Sequence, residues 1–195
     1  MTESSSVVFC NPMPPAERKI GSPGKPIAVE VKVVNEAGET QPDQVSGEIY
    51  LRGPSVLKSY FRSEEQTTSA FTAGGWLRSG DLGYRDADGF FFITGRLKEL
   101  IIKGGENIAP REIDEVLLQH PDILEAASVG VPDEAYGQEI LAAVVLKPNC
   151  RLSETELRVF CERNLGRYKT PREFRFLGEL PKGASGKVQR LRLLD

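Results

Sequence analysis

The amino-acid sequence predicts an α+β protein in two parts, a mostly β first half and a small α+β domain of order β-α-β-β-α-β. Up to about residue 96, short apolar segments with a period of two are separated by glycine and proline. From residue 97 onward, apolar stripes with helical spacing alternate with continuous apolar runs, as in the split βαβ arrangement. The segment Gly95-Arg96-Leu97-Lys98 is the predicted joint between the two parts.

The first half is predicted to contain three strands and one short helix. Alternation of apolar and polar residues, or flanking glycines, marks the strands, and Ser63 with Gln66 has the capping-box spacing of a helix start. The density of proline and glycine predicts irregular chain over residues 7–26. The predicted strands lie at 27–34, 48–52 and 90–94, and the predicted helix lies at 63–70.

The second half is predicted to contain four strands and two amphipathic helices. Pro110 suits the first turn of one helix, where the missing N–H costs nothing. Ser153 and Glu156 have the spacing of a capping box at the start of the other helix. The helical stripes are Ile113, Val116 and Leu117, and Leu157, Phe160 and Cys161; the strands lie at 99–102, 124–131, 140–146 and 174–177.

Composition excludes several functional classes. The 195 residues are 39% hydrophobic and 27% charged, as expected for a globular protein, and no apolar run is long enough to span a membrane. The net charge of -3 argues against a nucleic-acid partner bound through phosphates, so the basic residues Lys187, Arg190 and Arg192 are interpreted as a solvated face. Three widely spaced cysteines and a single histidine, His120, argue against a disulfide framework or zinc site and favour the cytoplasm.

The segment from Pro181 to Lys187 is the first candidate for chemistry. A lysine on a loop of small residues can reach into a neighbouring site as a mobile point charge. A P-loop is excluded because Pro181 occupies the position of its first glycine and Val188 follows the lysine. On composition alone, a solvated surface loop is the favoured interpretation.

Two further segments carry glycines beside polar residues. In the sequence 77–82, Asp81 follows a predicted glycine turn, and its carboxylate could accept two hydroxyl donors such as those of a ribose. The alternative is a turn aspartate that binds its own backbone. In the sequence 103–107, Gly104 and Gly105 would allow a ligand to approach the backbone closely, or would simply form a strand-to-helix turn.

The order and spacing of five motifs are more informative than any one of them. Together they closely resemble the adenylate-forming (AMP-binding) family of acyl-CoA synthetases, peptide-synthetase adenylation domains and beetle luciferases. The resemblance covers nearly the whole chain. The motifs are Gly47 to Pro54, Trp76 to Leu82, Gly95 to Ile102, Lys103 to Pro110, and Ser185-Gly186-Lys187.

This resemblance implies an ATP-dependent carboxylate–CoA ligase. Such an enzyme joins a carboxylic acid to ATP, giving an acyl-adenylate and pyrophosphate, and the CoA thiol then displaces AMP. The expected cofactors and substrates are ATP, Mg²⁺, coenzyme A and a carboxylic acid. Residues 1–96 would be the C-terminal part of the large AMP-binding domain, and residues 97–195 would be the mobile lid. The phosphate loop and acyl pocket of the family are not in this sequence, so we expect little or no catalysis without the missing N-terminal adenylation domain.

The resemblance also implies roles for single residues near the nucleotide. Lys187 matches the catalytic lysine that bridges the carboxylate and the α-phosphate during adenylation. Asp81 matches the aspartate that binds the ribose hydroxyls, and Arg96 matches a second nucleotide contact. Thr2 and Glu3 match the end of the motif that contacts phosphate and holds Mg²⁺.

Four other residues match the parts that would serve the second half-reaction. Lys98 matches the hinge about which the lid turns. Lys103, Gly104 and Gly105 match the loop that lines the path of pantetheine. Because Lys187 is far from this loop in sequence, rotation of the lid would let one active site use each in turn.

Two alternatives stay open at this point. The first is an adenylating enzyme that delivers the acyl group to a carrier protein, since the Lys103-Gly104-Gly105 loop does not distinguish free CoA from a carrier arm. The sequence given has no carrier domain after Asp195, which favours CoA. The second is a non-catalytic, nucleotide-binding or regulatory module, which the presence of Asp81, Arg96 and Lys187 disfavours.

Overall fold

The computed structural model describes residues 1–5 and 7–194 and has the predicted mixed α+β character. The chain divides into two compact units, Met1–Lys98 and Glu99–Asp195. Each unit has a hydrophobic core of its own. Within the described residues, none of the helices combines the length and the apolar character needed to cross a lipid bilayer.

The first unit is built on a four-stranded antiparallel sheet. The strands of the unit are β1 (Phe9–Cys10), β2 (Lys25–Pro26), β3 (Glu30–Val34), β4 (Gly47–Arg52), β5 (Leu77–Arg85) and β6 (Phe91–Arg96), and its helix is α1 (Glu64–Ala70). Strands β3, β4, β5 and β6 form the four-stranded sheet and are neighbours in that order, and β1 pairs with β2 in a separate two-stranded sheet. Val8, Ile49, Leu51 and Leu77 form the buried core of this unit.

Several details of the first unit differ from the prediction, and one is that the segment 7–26, predicted to be irregular, contains the two-residue strands β1 and β2. Strand β5 was not predicted, because its glycines and polar residues obscure the alternation of a strand. Strand β3 begins three residues late, since Ala28 has a left-handed φ of 54°. The capping box of Ser63 and Gln66 is wrong: the Ser63 side chain makes no cap hydrogen bond, and the Thr67 hydroxyl donates to the Ser63 carbonyl at 2.8 Å instead.

The second unit contains one five-stranded sheet. Its strands are β7 (Ile101–Lys103), β8 (Glu106–Ile108), β9 (Ile123–Asp133), β10 (Gly137–Leu146) and β11 (Glu173–Phe176), and its helices are α2 (Pro110–Leu117) and α3 (Glu154–Lys169). Strand β10 is central: β9 pairs with it antiparallel along its whole length, β11 pairs with it parallel, and β7 pairs with its first residue. Strand β8 pairs antiparallel with β7.

The element order of the second unit has one strand more than predicted. Gly104 and Gly105 have φ angles of 54° and 86°, which close a tight turn and return the chain as β8 beside β7. In addition, the β10–α3–β11 crossover joins strands that are direct neighbours, so no strand is inserted between them as a split βαβ unit would require.

Strand β10 is buried on both faces. Ile140 and Val144 pack with the core under the two helices, whereas Leu141 and Val145 belong to a second buried cluster. Leu180 and Leu193, from the C-terminal segment, cover this second face together with residues of β9. The continuous apolar run of β10 in the sequence reflects this burial on both sides.

Helix α3 begins as predicted and is interrupted near its end. Ser153 and Glu156 form the capping box: the Glu156 amide donates to the Ser153 hydroxyl at 3.3 Å, and the Ser153 amide donates to the Glu156 carboxylate at 2.9 Å. The Ser153 hydroxyl also donates to Glu156 Oε2 at 2.6 Å, and this bond, followed by the bond from the Ser153 amide, lowers the pKa of Glu156. At the other end, Gly166 has a φ of 73° and breaks the helical path before Tyr168.

We expect Ser153→Ala to lower the free energy of unfolding of the second unit by about 1 kcal/mol, because it removes a formed N-cap. Ser63→Ala is the matched control, since the Ser63 side chain makes no cap hydrogen bond. Urea denaturation followed by circular dichroism measures both changes. An equal loss in the two variants would contradict the assignment of the capping box.

Candidate functional site

Asp81 and Arg96 form an ion pair across two strands of the first unit. They lie opposite each other in the antiparallel register of β5 and β6. Arg96 Nε is 3.0 Å from Asp81 Oδ1, and the Asp81 side chain is 23% exposed. Asp81 and Arg96, two of the three residues that the resemblance assigned to the nucleotide, are therefore neighbours in space although they are 15 positions apart in the chain.

A β-bulge holds the backbone before Asp81. The register of β4 and β5 shifts here, so that residues 79–81 together lie opposite Ile49. The Ser79 hydroxyl donates to the Ile49 carbonyl at 2.6 Å, and the Asp81 amide donates to the Ser79 hydroxyl at 3.0 Å. Gly80 supplies the left-handed φ of 70°. Bulges of this kind redirect a side chain at the edge of a site, which a plain strand would not do.

Glu3 lies in a short 3-10 helix, Thr2–Ser4, and contacts Tyr60. The Tyr60 hydroxyl donates to Glu3 Oε1 at 3.3 Å, and the Leu57 amide donates to the Glu3 carbonyl at 2.7 Å. Burial, the charge of Glu3 and this hydrogen bond raise the pKa of Tyr60, so the phenol keeps its proton. Thr2 is exposed on the same turn.

The Glu3 carboxylate could supply one oxygen ligand to Mg²⁺, but not a complete coordination shell. Mg²⁺ in proteins that bind nucleotides is commonly held by one or two carboxylates together with water and phosphate oxygens. Across residues 1–5 and 7–194, no group of three or more His, Cys, Asp or Glu residues could enclose a metal ion. Glu3 is thus suited to an ion that arrives with a phosphate ligand.

Lys98 lies in the 3-10 helix Leu97–Glu99 and is exposed. It is the last residue of the first compact unit, and the second unit begins at the next residue, Glu99.

Lys103 is directed into the second unit and not toward solvent. Its residue is only 5% exposed. Lys103 Nζ is 2.9 Å from Glu139 Oε1 and donates to the Tyr168 carbonyl at 2.9 Å. The ring centroids of Tyr168 and Tyr136 lie 5.0 and 5.5 Å from the same nitrogen, within the range of cation–π attraction.

The Gly104–Gly105 turn is attached to the same group of residues. The Gly104 amide donates to the Tyr136 carbonyl at 2.8 Å, and the Tyr168 hydroxyl donates to the Lys103 carbonyl. A Cβ atom at Gly104 would lie 2.9 Å from the Tyr168 hydroxyl and 3.3 Å from the Tyr136 ring. Gly104 is therefore required both by its φ and by the closeness of the two tyrosines.

Lys187 is exposed on a small hairpin that is not a P-loop. Lys182 pairs with Val188 in a β-bridge, and the Gly183 amide donates to the Lys187 carbonyl at 2.9 Å. Gly186, with a φ of 78°, completes the turn. The hairpin leaves the Lys187 side chain in solvent while its backbone is fixed by hydrogen bonds.

Arg190 fastens the segment that follows the hairpin. Its guanidinium lies 2.6 Å from Asp114 Oδ2 and 3.1 Å from Glu99 Oε2, and it donates to the Ser128 carbonyl at 3.0 Å. Its side chain is only 19% exposed, so the assignment of Arg190 to a solvated face is wrong. Burial raises the pKa of Asp114, against the opposing effect of Arg190.

Several residues of these clusters carry no recognisable signal in the sequence. They are Tyr60, Tyr136, Glu139, Tyr168 and Arg190. Tyr60, Tyr168 and Arg190 contact partners that are 57, 65 and 91 residues away. Only the tertiary fold brings such pairs together, and a single sequence without its fold does not report them.

Comparison with known proteins gives consistent matches over the whole chain. Residues 1–61 match the AMP-binding enzyme family, and residues 112–187 match the AMP-binding enzyme C-terminal domain. Sulfoacetate–CoA ligase of Cupriavidus necator is 60% identical over 195 residues, which are 100% of this chain and 38% of that protein. Oxalate–CoA ligase of Arabidopsis thaliana is 44% identical over 191 residues, which are 97% of this chain and 37% of that protein.

Solved structures agree with these relatives. The o-succinylbenzoate CoA synthetase of Bacillus subtilis, in complex with its acyl-adenylate intermediate, superposes with a TM-score of 0.90 at 40% identity, covering 100% of this chain and 40% of that one. The same synthetase bound to ATP and magnesium gives a TM-score of 0.89 at 40% identity. The chain thus spans 37% to 40% of the length of these three proteins.

We expect Glu3→Gln to lower the pKa of Tyr60 toward its ordinary value of 10.0, because the carboxylate charge disappears while the burial remains. NMR titration of the Tyr60 ring measures the shift. The exposed Glu36 gives the control variant Glu36→Gln, which should leave this pKa unchanged. No shift in Glu3→Gln would contradict the contact between Glu3 and Tyr60.

Proposed function

Because the chain belongs to the AMP-binding enzymes, we propose that it is the C-terminal portion of a carboxylate–CoA ligase. The ligase would form an acyl-adenylate and then an acyl-CoA thioester, releasing pyrophosphate and AMP. The observation that carries this proposal is the Asp81–Arg96 pair, built over a bulge, in a chain whose relatives along its whole length are CoA ligases. Residues 1–96 would belong to the large domain, and residues 97–195 would be its lid.

In this proposal the first unit holds the nucleotide. A carboxylate accepts several hydrogen bonds at once, so Asp81 can accept both ribose hydroxyls while paired with Arg96. Arg96 fixes the orientation of that carboxylate and supplies a positive charge beside the nucleotide. Thr2 would contact phosphate, and Glu3, held by Tyr60, would supply one oxygen ligand to Mg²⁺. The magnesium ion would neutralise part of the phosphate charge when bound.

Lys187 would act during adenylation. When the carboxylate attacks the α-phosphate, negative charge that starts on the carboxylate oxygens spreads to the α-phosphate oxygens, and pyrophosphate leaves. The exposed ammonium of Lys187 can bridge these oxygens, while the hydrogen-bonded hairpin limits where it points. In this role the lysine would stabilise the developing charge electrostatically.

The second half-reaction would use a different surface of the second unit. The exposed Gly104–Gly105 turn offers backbone without side chains, which suits the close passage of the pantetheine arm of CoA. Lys98, an exposed residue where the two units join, would be the hinge that brings this turn to the site.

The selectivity for the carboxylic acid would be set by residues of the acyl pocket, which is not part of this sequence. The relatives are named for sulfoacetate, oxalate and succinylbenzoate, each of which has a second acidic group beside the reacting carboxylate. We therefore propose that the substrate is a small carboxylic acid with a second negatively charged group. The three cysteines are free thiols, which suits the cytoplasm as the location.

The test of the proposal is carboxylate-dependent ATP–pyrophosphate exchange by the chain joined to the upstream region of the Cupriavidus necator relative. We expect exchange with sulfoacetate only in the joined protein, and a loss of about 10²-fold or more in Lys187→Ala, because a preorganised charge is removed. Lys169→Ala is the control, since Lys169 forms an exposed ion pair with Glu112 at 2.7 Å. Exchange that survives in Lys187→Ala would reject the role of this lysine.

We expect Lys98→Pro in the joined protein to slow thioester formation more than adenylation. Proline fixes φ near -65° and removes the rotation that the hinge role needs. The two rates are measured separately, as pyrophosphate exchange and as CoA thioester formed per minute. Equal losses in both half-reactions would argue against a hinge at this residue.

A further inference from the structure

We propose that Lys103 is a positioning residue for the thiol substrate: its buried ammonium holds the Gly104–Gly105 turn in shape and does not itself contact CoA. The inference rests on the proposed function, because it assigns a residue to the second half-reaction. It departs from the simplest use of a lysine in a CoA site, which would be a direct ion pair with a phosphate.

The contacts of Lys103 leave its ammonium no route to a ligand. The side chain is 7% exposed. An ammonium group has three hydrogen-bond donors. One faces the Glu139 carboxylate, one binds the Tyr168 carbonyl, and the rings of Tyr168 and Tyr136 lie alongside. Glu139 is equally buried, so moving the ammonium toward a phosphate would leave a buried carboxylate without its partner.

The same contacts attach two other segments of the chain to the turn. Tyr136 and Glu139 lie together at the start of β10, and Tyr168 lies after the break in α3 at Gly166. Each tyrosine also binds the backbone of the turn. The Tyr136 carbonyl accepts a hydrogen bond from the Gly104 amide, and the Tyr168 hydroxyl donates one to the Lys103 carbonyl. The charge of Lys103 therefore stabilises the position of both tyrosines, and the tyrosines in turn fix the peptide groups of the turn.

The surface that remains accessible at the turn carries no positive charge, and its one adjacent charged side chain is the exposed carboxylate of Glu106. Gly104 and Gly105 are exposed, and Tyr136 and Ile102 are 49% and 54% exposed. Backbone, a phenol ring and an aliphatic side chain suit the amide-containing arm of CoA and not its phosphates. The turn and Lys103 therefore have separate roles: the turn contacts the pantetheine arm of CoA, and the buried Lys103 holds the turn in position.

The test removes the buried charge pair without leaving one charge alone. Lys103→Met with Glu139→Gln keeps both side chains near their original size, whereas Lys103→Met alone would strand Glu139 and risk misfolding. The matched control is Lys169→Met with Glu112→Gln, which removes an ion pair of 2.7 Å from the same unit, but one whose side chains are 34% and 47% exposed.

Three quantities are measured on the protein joined to the upstream region used above. They are the rate of ATP–pyrophosphate exchange, the KM for CoA and the KM for pantetheine, which has the arm but lacks the nucleotide. We expect exchange within about twofold of the unaltered protein, and both KM values raised together by about tenfold, because a small displacement of the turn misaligns the thiol. In the 195-residue chain alone, we expect the Gly104 amide hydrogen to exchange with solvent faster in the variant Lys103→Met with Glu139→Gln than in the unaltered chain.

Each other outcome overturns the inference. A raised KM for CoA with an unchanged KM for pantetheine would mean that Lys103 contacts the phosphates. Unchanged KM values for both thiols, or an equal effect in the control, would leave Lys103 without a positioning role. If the unaltered joined protein forms no thioester, the proposed function fails instead. In that case the Gly104 amide decides the structural claim, and unchanged hydrogen exchange there rejects it.

Discussion

The arrangement of the second unit depends on one constraint, the burial of β10 on both faces. Ile140 and Val144 are covered by the helices, but Leu141 and Val145 need a second cover. The C-terminal segment supplies it through Leu180 and Leu193. Since Lys187 lies between these two residues in sequence, covering the strand also fixes the base of the hairpin that carries the lysine. Removal of apolar surface from water thereby positions a charged group.

Two lysines of this unit show how environment assigns different tasks to the same residue type. Lys187 is exposed on a hairpin whose backbone is bonded, so its charge is available to a ligand. Lys103 is enclosed by Glu139 and two tyrosine rings, so its charge is used within the fold. In the first unit, Asp81 and Arg96 lie between these extremes: they are paired and still partly exposed, as the nucleotide contact that we propose for them requires.

The sequence predicted the mixed fold, both helices of the second half and the capping box of α3, because each rests on local spacing. It missed β5, whose glycines serve a bulge, and β8, which forms only because Gly104 and Gly105 turn the chain back. It paired neither Glu3 with Tyr60 nor Lys103 with Glu139, since both contacts join distant segments. The roles of the site residues came from resemblance. No local physical rule distinguishes a ribose-binding aspartate from a turn aspartate.

Transfer of the acyl group to CoA is tested by the product balance of the joined protein supplied with sulfoacetate, ATP, Mg²⁺ and CoA, determined by mass spectrometry. We expect a CoA thioester and AMP in equal amounts, as the proposed ligase activity requires. Release of AMP and pyrophosphate without any CoA thioester would contradict it, because the second unit would then have no part in transfer to CoA.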